Sequence, residues 1–103
     1  MRSYKGGRST LGWHKSKRIT SLNEIKRGMV LITVSHQFHA QNLIRVTSVN
    51  KLLDGFNYIF VTPDNKKLHE REMYCHGFTL RDTDSLFTEE YYITKRNKNV
   101  KAA

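Results

Sequence analysis

The chain has 103 residues, a formal net charge of +9 and a single cysteine, Cys75. That length supports one hydrophobic core and one domain, and a lone cysteine excludes an internal disulfide, which favours a reducing compartment. The longest aliphatic run, Met29 to Ile32, is far too short to cross a bilayer and no apolar stretch follows Met1, so a cytoplasmic protein with no membrane partner is expected.

Residues 1–20 have the composition of a flexible basic arm, with Gly6, Gly7 and Gly12, several hydroxyl residues, and only Leu11 and Trp13 suited to a core. Residues 1–27 carry Arg2, Lys5, Arg8, Lys15, Lys17, Arg18, Lys26 and Arg27 against Glu24 alone, a net of +7. Residues 95–103 carry Lys95, Arg96, Lys98 and Lys101 with no acid, a net of +4. The middle of the chain is therefore slightly acidic. A charge that served only solubility has no reason to segregate in this way.

At Ser21-Leu22-Asn23-Glu24 a serine precedes a glutamate by three residues, the reciprocal arrangement that starts a helix. Gly28 ends it within two turns, with Leu22 and Ile25 facing inward. Met29 to Val34 is apolar at both parities and reads as a strand buried on both faces. Asn42 to Val49 forms the next strand, and a loop over 50–55 leads into a third, Phe56 to Thr62. Pro63-Asp64-Asn65 makes a tight turn. Leu68 to Tyr74 and Gly77 to Arg81 read as weaker strands. The stretch 86–94 has two readings, a short helix capped by Asp84 or a strand centred on Tyr91-Tyr92-Ile93.

Short strands at close spacing, with no long periodic segment, predict a mainly β domain over residues 21–94 between a basic arm (1–20) and a basic tail (95–103). A partly open barrel of about five strands with a short N-terminal helical turn suits this length, because closure removes exposed edges. The Lys26-Arg27-Gly28 turn followed by Met29-Val30-Leu31-Ile32-Thr33-Val34 resembles the opening of small SH3-like barrels of the KOW and Tudor type, over residues 22–62. The size and the Asn, Lys and Tyr content resemble in style the small accessory proteins of large bacteriophages; that resemblance implies a host cytoplasm and a host-protein partner.

Clustered lysine and arginine neutralise phosphates and release condensed counterions without any defined pocket. The expected nucleic-acid-contacting residues are Arg8, Trp13, Lys15, Lys17, Arg18, Lys26, Arg27, Lys95 and Arg96. Trp13 among these charges either stacks on a base or packs on the barrel. Such contacts position a protein on DNA or RNA with little sequence discrimination. A second stretch, Gly55-Phe56-Asn57-Tyr58-Ile59, partly echoes the base-stacking strand of RNA-recognition-motif domains, with Phe56, Tyr58 and Phe60 as a row. The alternation reads better as a strand buried on both faces, since nothing in 35–55 has the periodicity of that fold's first helix.

His36, His39, His69, Cys75 and His76 are zinc-ligand types, but their spacing fits no paired-ligand signature. No nucleophile elbow or phosphate-cradling glycine loop is present. The expectation is a non-enzyme without metal or cofactor. The rival is a protein-binding modulator whose basic surface meets an acidic partner.

Overall fold

The computed structural model describes residues 16–81, 85 and 87–94. They form six strands: β1 (Lys17–Arg18), β2 (Val30–Ser35), β3 (Ala40–Asn50), β4 (Gly55–Val61), β5 (Met73–Cys75) and β6 (Glu90–Ile93). All pairings are antiparallel, in one sheet of order β1-β6-β2-β3-β4-β5. Among the described residues β1 does not meet β5, so the sheet is open, and the only helical elements are single 3-10 turns. No helix among them is long and apolar enough to cross a membrane.

Burial on both faces of the central strands follows from their composition. On β2, Leu31 joins a cluster with Ile19, Leu22, Ile25, Ile44, Val46, Phe56, Tyr58, Phe78 and Tyr91. Its neighbours Val30, Ile32 and Val34 point the other way, into a second cluster with Leu43, Ile59, Val61 and Tyr92. Alternate residues of a strand face opposite sides, so an apolar residue at every position needs two cores. Phe56 anchors the larger one: its ring centroid lies 5.5 Å from Tyr91, 5.8 Å from Tyr58 and 6.0 Å from Phe78, all tilted or edge-on.

Several elements differ from their sequence expectation. The Ser21 turn is one 3-10 turn, Leu22–Glu24, because Ser21 Oγ accepts from Asn23 N and Ile25 is already extended. Gly28, at φ 89°, lies beyond it in the tight turn into β2. Of the stretch 68–74 only its end is strand, in Met73–Cys75, and Phe78–Leu80 is a 3-10 turn. The cause is Asp54, whose carboxylate accepts from Thr79 N and Thr79 Oγ1 at 2.8 and 2.7 Å, while its carbonyl accepts from Phe78 N. These bonds curl the chain under the Lys51–Leu53 turn and take the place of a strand ladder. The ambiguous stretch becomes β6, and it lies between β1 and β2. The sixth strand, β1, comes from the segment expected to be mobile: Ile19 is fully buried and its N–H donates to Tyr91 O at 2.8 Å. The arm expected over 1–20 is thus corrected at its C-terminal end; residues 1–15 lie outside the described residues.

Gly55 opens β4 where β5 passes closest, and a Cβ placed there would sit 1.9 Å from the carbonyl oxygen of Cys75. Gly55→Ala is expected to destabilise the fold by about 1–3 kcal/mol through forced backbone movement. Leu52→Ala, at a side chain 97 % exposed, should change stability by no more than about 0.5 kcal/mol. Urea unfolding of the two variants measures both.

Candidate nucleic-acid interface

The register of β1, β6 and β2 decides where the basic segments meet. Lys17 lies opposite Ile93, and Ile93 lies opposite Leu31. Because β1 and β6 are antiparallel, the chain before Lys17 and the chain after Ile93 leave the sheet from the same end. β2 starts at that end too, and the turn before it carries Lys26 and Arg27, both exposed. This turn is fixed to the sheet by Gly28 N donating to Val46 O at 2.8 Å and by Val46 N donating to Met29 O at 2.9 Å. Three of the nine expected residues, Lys17, Lys26 and Arg27, are at this end; in the sequence Lys15 comes two residues before Lys17, and Lys95 and Arg96 come two and three residues after Ile93. Arg8, Trp13, Lys15, Lys95 and Arg96 themselves lie outside the described residues.

The four described members are not equivalent. Lys26 and Arg27 form no ion pair among the described residues. Lys17 pairs with Glu24 at 3.2 Å, yet keeps a side chain 71 % exposed. Arg18 points to the other face and pairs with Glu90 at 3.4 Å, with its side chain only 28 % exposed. That guanidinium ties β1 to the body, which sets it apart from the expected contact role. Two further arginines are spent internally. Arg45 Nη1 donates to Asn65 O and Oδ1 at 2.9 and 3.0 Å. Arg81 lies 4.1 Å above the Phe78 ring and 5.0 Å above that of Tyr91, donates to Glu89 O, and has its basicity lowered by burial.

Glu90 is the centre of a polar junction. Its carboxylate accepts from Tyr92 OH at 2.6 Å, contacts His36 Nε2 at 3.0 Å and pairs with Arg18. Burial alone raises a carboxyl pKa, but the hydrogen bonds from Tyr92 and His36 and the charge of Arg18 outweigh it and hold Glu90 below its ordinary value.

The aromatic row of β4 faces the core. Phe56 and Tyr58 are buried and Phe60 packs against them, capped edge-on by His69, so none presents a ring face for a base. Burial pushes the Tyr58 hydroxyl up to about 12, with the charges of Glu89 and Cys75 adding to the effect. Burial likewise raises the Cys75 thiol above its ordinary value, against a hydrogen bond with Tyr91, which leaves it a poor nucleophile. The histidines are dispersed: His36 on Glu90, His69 on Phe60, His76 on Tyr74. Among the described residues no three His, Cys, Asp or Glu side chains gather as a metal site.

The sequence analysis did not foresee the pairing of Tyr74 with His76. Their rings stack at 4.5 Å and 29°, Tyr74 in the edge strand β5 and His76 just after it, with Tyr74 65 % exposed. The available signal was an aromatic residue at the end of the stretch read as strand, Leu68 to Tyr74, with a histidine two positions on.

Comparison of the chain with protein-family models, with curated proteins and with solved structures gives no match.

The depressed Glu90 carboxyl contributes stability that is present above the unfolded value near 4.5 and lost as the pH falls through the lower folded value. Glu90→Gln is therefore expected to lower the melting temperature at pH 7 and to flatten the decline of stability below about pH 4.5. Thermal melts of both proteins across pH 2–7 check this.

Proposed function

We propose that this protein is a non-enzymatic nucleic-acid-binding protein that contacts the phosphate backbone through basic segments leaving one end of its sheet. The observation that carries this reading is the β1–β6 register. Lys17 and Ile93, from which the sequence continues outward to Arg2, Lys5, Arg8 and Lys15 and to Lys95, Arg96, Lys98 and Lys101, lie opposite one another at the end that carries Lys26 and Arg27. The two segments hold eight cations between them, beside Lys26 and Arg27, and neither 1–15 nor 95–103 contains an acid. Phosphate contact of this kind releases counterions and is weakly selective for sequence. Binding at the cytoplasmic nucleoid or on structured RNA is consistent with it.

A second reading, a protein-binding modulator, draws support from a different feature. Leu52, Leu53 and Leu80 are 97 %, 51 % and 86 % exposed, on two turns that Asp54 stitches together. Apolar residues grouped in this way suit a protein partner better than phosphate. That reading expects an association that survives high salt and is lost in Leu52→Ser/Leu80→Ser.

The phosphate reading is tested by removing residues 1–15, a cut that keeps β1 and Ile19 in place. The shortened protein should retain its melting temperature and lose affinity for duplex DNA. Its log–log salt slope should fall by about 3–4, at about 0.9 for each of the four missing cations. Lys26→Glu/Arg27→Glu should weaken binding to DNA and RNA of any sequence. Undiminished affinity in both variants, measured by fluorescence anisotropy at two salt concentrations, would refute the proposal.

A further inference from the structure

We infer that Tyr74 and His76 form a stacking platform for an unpaired nucleobase, so that the preferred ligand is single-stranded rather than duplex nucleic acid; this rests on the phosphate-contact reading above. Three observations carry it.

The first is exposure. The other tyrosines among the described residues, Tyr58, Tyr91 and Tyr92, are buried, whereas Tyr74 is turned to solvent. The second is ring geometry. Every other ring pair of the described residues is tilted or edge-on, between 45° and 88°, as core packing favours. Tyr74 and His76 lie nearly parallel, which leaves flat outer π faces toward solvent. His76 directly follows β5, and its stack on Tyr74 places the two rings on the same side; β5 is the last strand of the sheet among the described residues, so no described strand pairs beyond it. A base offers the same flat face whatever its identity, and stacking on such rings tolerates any sequence.

The third is placement relative to the basic end. Tyr74 lies opposite Asn57 on β4, and Asn57 lies opposite Ser48 on β3. One surface therefore runs from the rings across an amide and a hydroxyl, groups able to hydrogen-bond a base edge. β2 begins only at Val30, opposite Arg45, so β3 projects past it at Ser48. The Lys26–Arg27 turn is held there by the Gly28–Val46 hydrogen bond, two residues from Ser48. Strands are spaced about 4.8 Å apart, which puts the rings about 10 Å from β3, a span a short single strand can cross. Glu72 shares this face and bonds Thr47. Its charge keeps phosphate away from the rings and toward the basic turn, so the rings receive a base and the turn receives the backbone. A paired base in a duplex offers no free face to such a platform.

The test compares a ten-nucleotide oligothymidylate, an abasic ten-mer of equal charge and a ten-base-pair duplex, each titrated into the full chain by fluorescence anisotropy at fixed salt. The wild type should bind oligothymidylate at least about five-fold more tightly than the abasic strand. Tyr74→Ala/His76→Ala should erase that preference while leaving abasic affinity and the salt slope unchanged, and Tyr74→Phe should retain it. Oligouridylate should behave as oligothymidylate does. Equal wild-type affinity for thymidylate and abasic strands, or a preference that survives the double substitution, overturns the stacking platform and leaves the phosphate reading standing. Absence of binding to all three at low salt overturns both.

Discussion

The arrangement of the molecule depends on the carboxylate of Glu90. A charge as enclosed as this one is costly unless hydrogen-bonded and paired, and here Tyr92, His36 and Arg18 supply those partners from β6, the end of β2 and β1. β6 has only four residues and β1 only two, too few for backbone pairing alone to hold them firmly. The junction locks both beside β2, with Ile19 buried immediately after. The first and last described strands, β1 and β6, are thereby held side by side.

This reorders the roles of the cations. Arg18, Arg45 and Arg81 differ little from their neighbours in a linear reading, yet each is committed inside the fold: to Glu90, to Asn65, and to the rings of Phe78 and Tyr91. The planar guanidinium suits such sites, since it stacks and donates in fixed directions. Lys26 and Arg27 lie instead on a turn that protrudes from the sheet. Aromatic residues divide in the same way. Phe56, Tyr58, Phe78 and Tyr91 build the larger core through tilted contacts, while Tyr74 and His76 remain outside with parallel rings. Tyr74 lies opposite Asn57 and Asn57 opposite Ser48, so these three share a face of the sheet, and Ser48 is two residues beyond the Val46 that holds the Lys26–Arg27 turn.

Asp54 has a comparable organising effect at the other edge. By capturing Thr79 and Phe78 it converts a stretch of strand composition into a turn and drives Phe78 onto Phe56. It also leaves Leu52 and Leu80 in water, which is why the molecule carries an apolar projection that its overall polarity conceals.

Much of the architecture was legible in the amino-acid sequence, because alternation of side chains is a local property. The double apolar parity of 29–34 and 56–62 specified two-sided burial, Pro63-Asp64-Asn65 specified a turn with Asn65 at φ 64°, and the missing long periodicity specified a mainly β chain. The segregation of charge to the two ends was equally a matter of counting. What the sequence could not decide were outcomes that depend on distant partners. Whether 86–94 became helix or strand was settled by a vacant edge on β2, and whether Arg18 met solvent or Glu90 was settled by register across 72 positions of chain. Whether an aromatic residue faced core or water depended on which strand ended the sheet. Local pattern determines which faces of a segment are apolar; only the closing of non-local contacts determines what those faces, and the charges between them, finally meet.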